Sequence, residues 1–173
     1  MKNGLTKSDI MLLWHTLNEI NMELPFPVSY AFARTKRLIK DEVESMVEAS
    51  KPSADYLDYE HKRIELCNRL AKKDEHDKPI ISGNEYIFDN PHKFRKEMEK
   101  LTKDSQTILY LRDNQIVAYN KALDEPVDSQ LFKVKASQMP KSFMSRYVDG
   151  LYPMIDYDLS NEESLSPELK QDE

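Results

Sequence analysis

Apolar residues in the first half of the chain recur every three to four positions, which is the spacing of helices with one buried face. Ile10, Leu13, Trp14, Leu17 and Ile20 line one side of a first helix over about Ser8 to Met22. Thr6 is placed to cap that helix and Asp9 sits in its first turn. Leu24-Pro25-Phe26-Pro27 ends it, because each proline drives the preceding residue out of the helical region. A much longer stretch then begins near Ser29. Phe32, Ile39 and Met46 share one position of a seven-residue repeat, to which Cys67 returns, while Val43, Leu57, Ile64 and Ala71 share the companion position. Pro52 interrupts the stretch, and the phase kept across it predicts a kinked helix continuing to about Lys73. Such a helix would run about 68 Å, against about 40 Å for a compact domain of this length. A projecting helical arm over residues 29–73 is the expectation.

Beyond that arm the period shortens. Ile80-Ile81 and Tyr86-Ile87-Phe88 flank Ser82-Gly83-Asn84-Glu85 and predict a small hairpin, with Gly83 supplying positive φ. Asn90-Pro91 then reads as a cap followed by a proline in the first helical turn, opening a helix striped by Phe94, Met98 and Leu101. Ile108 to Leu111 and Ile116 to Tyr119, around Asp113-Asn114, predict a second hairpin in which Arg112 pairs with Gln115. That register puts Leu109, Leu111, Ile116 and Ala118 on one face, and Ile108, Tyr110, Val117 and Tyr119 on the other. Gln130 to Lys135 predicts a strand with Phe132 and Val134 inward. A short helix over Ser137 to Asp149 and an apolar end at Leu151-Tyr152-Pro153-Met154-Ile155 follow. The fold class expected is α+β: a long helical hairpin or arm packed with small antiparallel β-hairpins, forming one domain over residues 1–157.

Composition narrows the classes of function. Charged residues make up 32 % of the 173 and apolar ones 39 %, as in a helix-rich globular chain. The formal net charge of −6 is concentrated at the end. Seven acids follow Ile155 against Lys170 alone, so the preceding residues sum to zero. A neutral body argues against a general nucleic-acid binder. Residues 158–173, with Glu162 and Glu163, are expected to be a disordered acidic tail able to meet a basic partner. No run of about 18 apolar residues predicts a membrane span. Met1-Lys2-Asn3-Gly4 leads into the first helix without an apolar leader core, and a single cysteine excludes an internal disulfide, so a cytoplasmic location is expected.

Candidate chemistry is sparse. Three glycines cannot build a phosphate-cradling loop, and no serine sits in a nucleophile elbow. Cys67 lies on the apolar seam, six residues from His61, and reads as a core cysteine. Asp74, Glu75, His76 and Asp77 resemble metal ligands in composition, but lack the turn glycine of a calcium loop and the second His or Cys that zinc needs. Arg34, Lys36, Arg37 and Lys40 are the one basic concentration noted, with Asp41 and Glu44 four residues on from Arg37 and Lys40. No catalytic, metal or cofactor-binding residue is therefore assigned, and no cofactor is expected. The candidate protein-binding residues are Tyr56, Leu57 and Tyr59 beside the proline, Tyr110 and Tyr119 on the second hairpin, and Glu162 and Glu163 in the tail.

Leu24-Pro25-Phe26-Pro27-Val28-Ser29-Tyr30, the run from Leu70-Ala71-Lys72-Lys73 through Asp77-Lys78-Pro79-Ile80, and Asp89-Asn90-Pro91-His92-Lys93-Phe94 together resemble small uncharacterised proteins of tailed phages and prophages, over roughly residues 5–155. Ala49 to Tyr59, with Pro52, stands as an insertion relative to that pattern. The resemblance brings no assigned activity and no functional residue. The function expected is that of a non-catalytic phage or prophage accessory protein that binds a phage or host protein, in morphogenesis or on the virion, located in the host cytoplasm or the particle. Self-association through the arm is an added expectation. An inhibitor of a host defence or replication enzyme, acting by protein binding or acidic mimicry, is one alternative; a metal-dependent enzyme is another.

Overall fold

The computed structural model describes residues 4–140 and 147–156. It is a helix-dominated α+β fold: β1 (Leu5–Thr6), α1 (Lys7–Glu19), α2 (Phe26–Ser50), α3 (Ala54–Leu70), β2 (Ile81–Ser82), β3 (Glu85–Tyr86), α4 (Pro91–Asp104), α5 (Gln106–Leu123), β4 (Pro126–Val127), β5 (Val134–Lys135), α6 (Val148–Leu151) and β6 (Ile155–Asp156). The chain divides into two compact units. One contains the described parts of residues 1–48 and 121–173, the other residues 49–120.

The first unit is built on α1 and α2. Thr6 and Asp9 form a reciprocal cap: the Asp9 carboxylate accepts from the Thr6 N–H at 2.8 Å, and the Thr6 hydroxyl accepts from the Asp9 N–H. β1 pairs antiparallel with β4, and Lys7 bridges Glu42 and Glu125 beside that ladder. Ile10, Leu13 and Leu17 of α1 meet Val28, Phe32, Ile39 and Val43 of α2 in the core, which Val134, Leu151 and Met154 complete. The expected strand over Gln130 to Lys135 shortens to β5, paired parallel to β6, with Val134 buried and Lys133 and Lys135 outward. Residues 141–146 of the predicted Ser137–Asp149 helix lie outside the described residues. Around them stand a 3-10 turn at Ala136–Gln138 and the single turn of α6.

One core position is mismatched. Thr35 of α2 is fully buried, and among the described residues its hydroxyl has no hydrogen-bond partner. A buried unpaired hydroxyl costs about 1–3 kcal/mol, whereas a shape-matched apolar group costs nothing. Thr35→Val is therefore expected to stabilise this unit by about 1 kcal/mol. Trp14, the single tryptophan, lies in the same unit and reports the shift as a later midpoint in denaturant.

The expected kinked arm is corrected to two helices. α2 stops at Ser50, Ser53 is extended at φ −66° and ψ 159°, and its hydroxyl caps a new helix by accepting from the Tyr56 N–H. Proline disfavours helix in the residue before it, and a serine immediately afterwards offers a fresh start. The repeat is kept only in part, with Cys67 and Ala71 buried as its phase requires. Val43 and Met46 are buried in α2, but Leu57 and Ile64 are exposed on α3, whose buried residues are Tyr59, Leu66 and Cys67.

In the second unit the predicted first hairpin is present. β2 and β3 pair antiparallel around Gly83 at φ +63°. The chain leaving α3 joins them: the Lys72 N–H donates to Ile87 O at 2.7 Å, and the Ile80 N–H donates to Lys72 O at 2.8 Å. Asn90 caps α4 as expected, its side chain accepting from the Lys93 N–H. Phe94 stacks on Phe88 at 3.8 Å between ring centres, and α4 packs on α3.

Candidate protein-docking surface

The second predicted hairpin is contradicted: residues 106–123 are one helix, α5. Leu, Arg, Gln, Ala and Lys make up half of the segment and favour helix. Asp113-Asn114 lacks the glycine that most favours a two-residue hairpin turn. Apolar residues on every side of a helix also mimic a strand with two apolar faces, which is how alternation misleads here.

Ser105, at φ −106° and ψ 11°, interrupts the helical ladder between α4 and α5. Its N–H donates to Leu101 O at 3.1 Å, and its carbonyl accepts from the Leu109 N–H at 3.0 Å. The inner side of α5 is anchored by polar atoms. Arg112 donates from Nη1 to Ser50 O at 3.0 Å and to Gln115 Oε1 at 2.7 Å. Gln115 Nε2 in turn donates to Ala49 O and Lys51 O, both at 2.8 Å. The Arg112 guanidinium also lies 5.5 Å from the Tyr56 ring centre.

No residue of α5 is buried, although ten of its eighteen are apolar. On its outer side Tyr110, Leu111 and Val117 are 65 %, 62 % and 67 % exposed, and Ile116 is also exposed. A helix apolar all round is ordinarily enclosed. This one presents its outer face to solvent.

The structure separates the sequence candidates. Tyr110 belongs to the outer face, but Tyr119 is half-buried and, nine residues on, lies on the opposite side of the helix. The hairpin assignment had placed the two tyrosines together. On α3, Leu57 is exposed, Tyr56 is half-buried beneath Arg112, and Tyr59 is buried with its ring 6.0 Å from that of Tyr56. Glu162 and Glu163 lie outside the described residues. Leu111 and Val117 were not among the candidates. Reading 107–118 at three- and four-residue spacing instead of two would have placed both on the outer side with Tyr110 and Asn114.

Other candidate chemistry settles into structural roles. Asp74 accepts from the backbone N–H groups of His76 and Lys78, so its carboxylate closes a turn, and Lys73 pairs with Asp77. Among the described residues no three metal-ligating side chains gather. Lys40 pairs with Glu44, while Arg34 and Lys36 lie over Phe132 and Trp14. Cys67 is buried, and burial pushes its thiol above the ordinary range. It floors an open groove of about 1010 Å³ lined also by Tyr86, Phe88, Phe94 and Met98. Arg63 at that groove is held by Glu60 through two guanidinium nitrogens. Among the described residues no helix is long and apolar enough to cross a membrane. No family model matches the chain, and no curated protein or solved structure matches it.

Proposed function

We propose that this chain is a non-catalytic accessory protein that binds another protein through the outer face of α5. The observation that supports this is the exposure of Tyr110, Leu111 and Val117 on a helix with no buried residue. Contiguous exposed apolar groups on a folded surface favour an interaction site. The phage or prophage setting, in morphogenesis or on the virion, comes from the sequence resemblance.

Magnitudes limit what that face can do alone. Completing the burial of the three side chains contributes about 3–6 kcal/mol. Association costs about 4–15 kcal/mol in lost freedom. A stable complex therefore needs contacts beyond these three residues.

The test uses the full chain as bait in extract from infected cells, beside a Leu111→Asp/Val117→Asp variant. Both positions are solvent-facing, so the variant is expected to keep its helical circular dichroism and melting midpoint while losing the proteins retained by the wild type. Equal retention by a folded variant would remove α5 from the interaction.

A further inference from the structure

Charge is depleted on the outer face of α5. Charged residues make up 32 % of the chain, yet Asp113 is the one charged residue among the exposed positions from Gln106 to Asn120. Such depletion, with tyrosine and aliphatic groups in its place, marks the centre of an interface. Tyr110, Leu111, Asn114, Val117 and Ala118 share this face, and all five are exposed. Tyr110 and Leu111 stand four and three residues before Asn114, and Val117 and Ala118 stand three and four after it. The pattern therefore reads alike in both directions: two apolar residues, an amide, two apolar residues.

We infer that this face docks on the same face of a second copy of the chain, the two α5 helices running antiparallel with Asn114 on the twofold axis. This rests on reading α5 as an interaction surface, and it names the molecule that surface meets. In that register Leu111 lies against Val117 of the second copy, and the Tyr110 ring covers Ala118, the smallest side chain of the strip. The Asn114 amide, which both donates and accepts, meets its own copy. A parallel pair would instead stack Tyr110 on Tyr110 and leave a gap where Ala118 faces Ala118. Asp113 stands at the edge of the strip, in water, where salt screens its repulsion from its own copy.

Area is consistent with this occupant. At 65 %, 62 % and 67 % exposure, Tyr110, Leu111 and Val117 present about 400 Å² to solvent. With Asn114 and Ala118 the strip reaches about 500 Å², so a symmetric pair buries about 1,000 Å², which is where specific interfaces begin. A different protein would have to bring a matching strip of its own, whereas a second copy supplies one by symmetry. The protein retained through α5 from infected-cell extract is then the untagged chain itself.

Sedimentation equilibrium of the full chain is expected to show a monomer–dimer equilibrium with a Kd of about 10–100 µM. Raised salt should not weaken it. Asn114→Lys and Asn114→Glu are each expected to be monomeric alone, because position 114 meets itself, and to associate when mixed. Ala118→Phe distinguishes the register from a merely greasy patch. It adds apolar area, yet it collides with Tyr110 of the second copy, so the dimer should weaken about tenfold or more. Circular dichroism checks that these solvent-facing substitutions leave the helices intact.

A wild type that stays monomeric at about 1 mM overturns the second-copy assignment. So do Asn114 variants that fail to restore one another, and an Ala118→Phe dimer tighter than the wild type. A dimer that survives Leu111→Asp/Val117→Asp lies on another surface and also overturns it. After any of these failures, the α5 reading stands if Leu111→Asp/Val117→Asp still loses proteins from infected-cell extract, and a different protein is then the occupant. Equal retention by that variant overturns both.

Discussion

Gly150→Ala is expected to destabilise the first unit by about 3 kcal/mol, at the upper end of ordinary overpacking. Gly150 belongs to the single turn of α6, which packs against α1. A Cβ added there would lie 1.8 Å from Thr16 Oγ1 and 2.7 Å from Thr16 Cβ. Neither atom retreats easily. The Thr16 hydroxyl donates to Leu12 O at 2.9 Å, and the residue is buried between Leu13 and Leu17. The alanine therefore pushes α6 away from α1 and takes Leu151 and Met154, both fully buried, out of register with the core. Denaturant unfolding followed by Trp14 fluorescence measures the loss. Thr16→Ala in the Gly150→Ala background should recover only part of it, because the Cβ of residue 16 remains too close. A Gly150→Ala protein as stable as the wild type would mean that α1 and α6 do not approach as described.

The features legible in the sequence were those decided within a few residues. The Thr6–Asp9 cap needs only four consecutive positions. Asn90-Pro91 opens α4, and Gly83 turns the hairpin by its own backbone freedom. Leu151 and Met154 were placed in a buried apolar end from composition alone, and they are core residues.

Pro52 shows where local reading fails. The seven-residue phase on either side of it suggested one helix, yet phase alone cannot distinguish a kink from a stop followed by a restart. The deciding residue was Ser53, which caps α3. Residues 106–123 failed for a different reason. Their apolar positions satisfy a period of two almost as well as one of 3.6, because α5 is apolar on nearly every side. The site inherited that error in part. Tyr110 and Val117 share a face in either assignment, Tyr119 shares it only in a hairpin, and Leu111 joins it only in a helix.

Arg112 and Gln115 carry the second large expected effect. They were paired across a hairpin turn in the sequence reading, and they do hydrogen-bond, but as neighbours one turn apart on α5. Together they occupy the carbonyls of Ala49, Ser50 and Lys51 at the C-terminal end of α2, where no further turn of that helix supplies donors. A hydrogen bond from a charged donor contributes about 1.5–3 kcal/mol and a neutral one about 0.5–1.5 kcal/mol. Both side chains are half-exposed, so water replaces part of what is lost. Arg112→Ala/Gln115→Ala is accordingly expected to lower the stability of the second unit by about 2–3 kcal/mol, less than the sum of the separate losses. Gln115→Glu should also be destabilising despite its matched shape. It removes the two amide donations and turns a carboxylate towards carbonyl oxygens, although Arg112 remains beside it. Far-UV circular dichroism in denaturant follows the helices of this unit. If the double variant melts with the wild type, the α2 end and α5 are not held together by these bonds, and the outward orientation of Tyr110, Leu111 and Val117 must be fixed by the half-buried Ile108, Leu109 and Tyr119 instead.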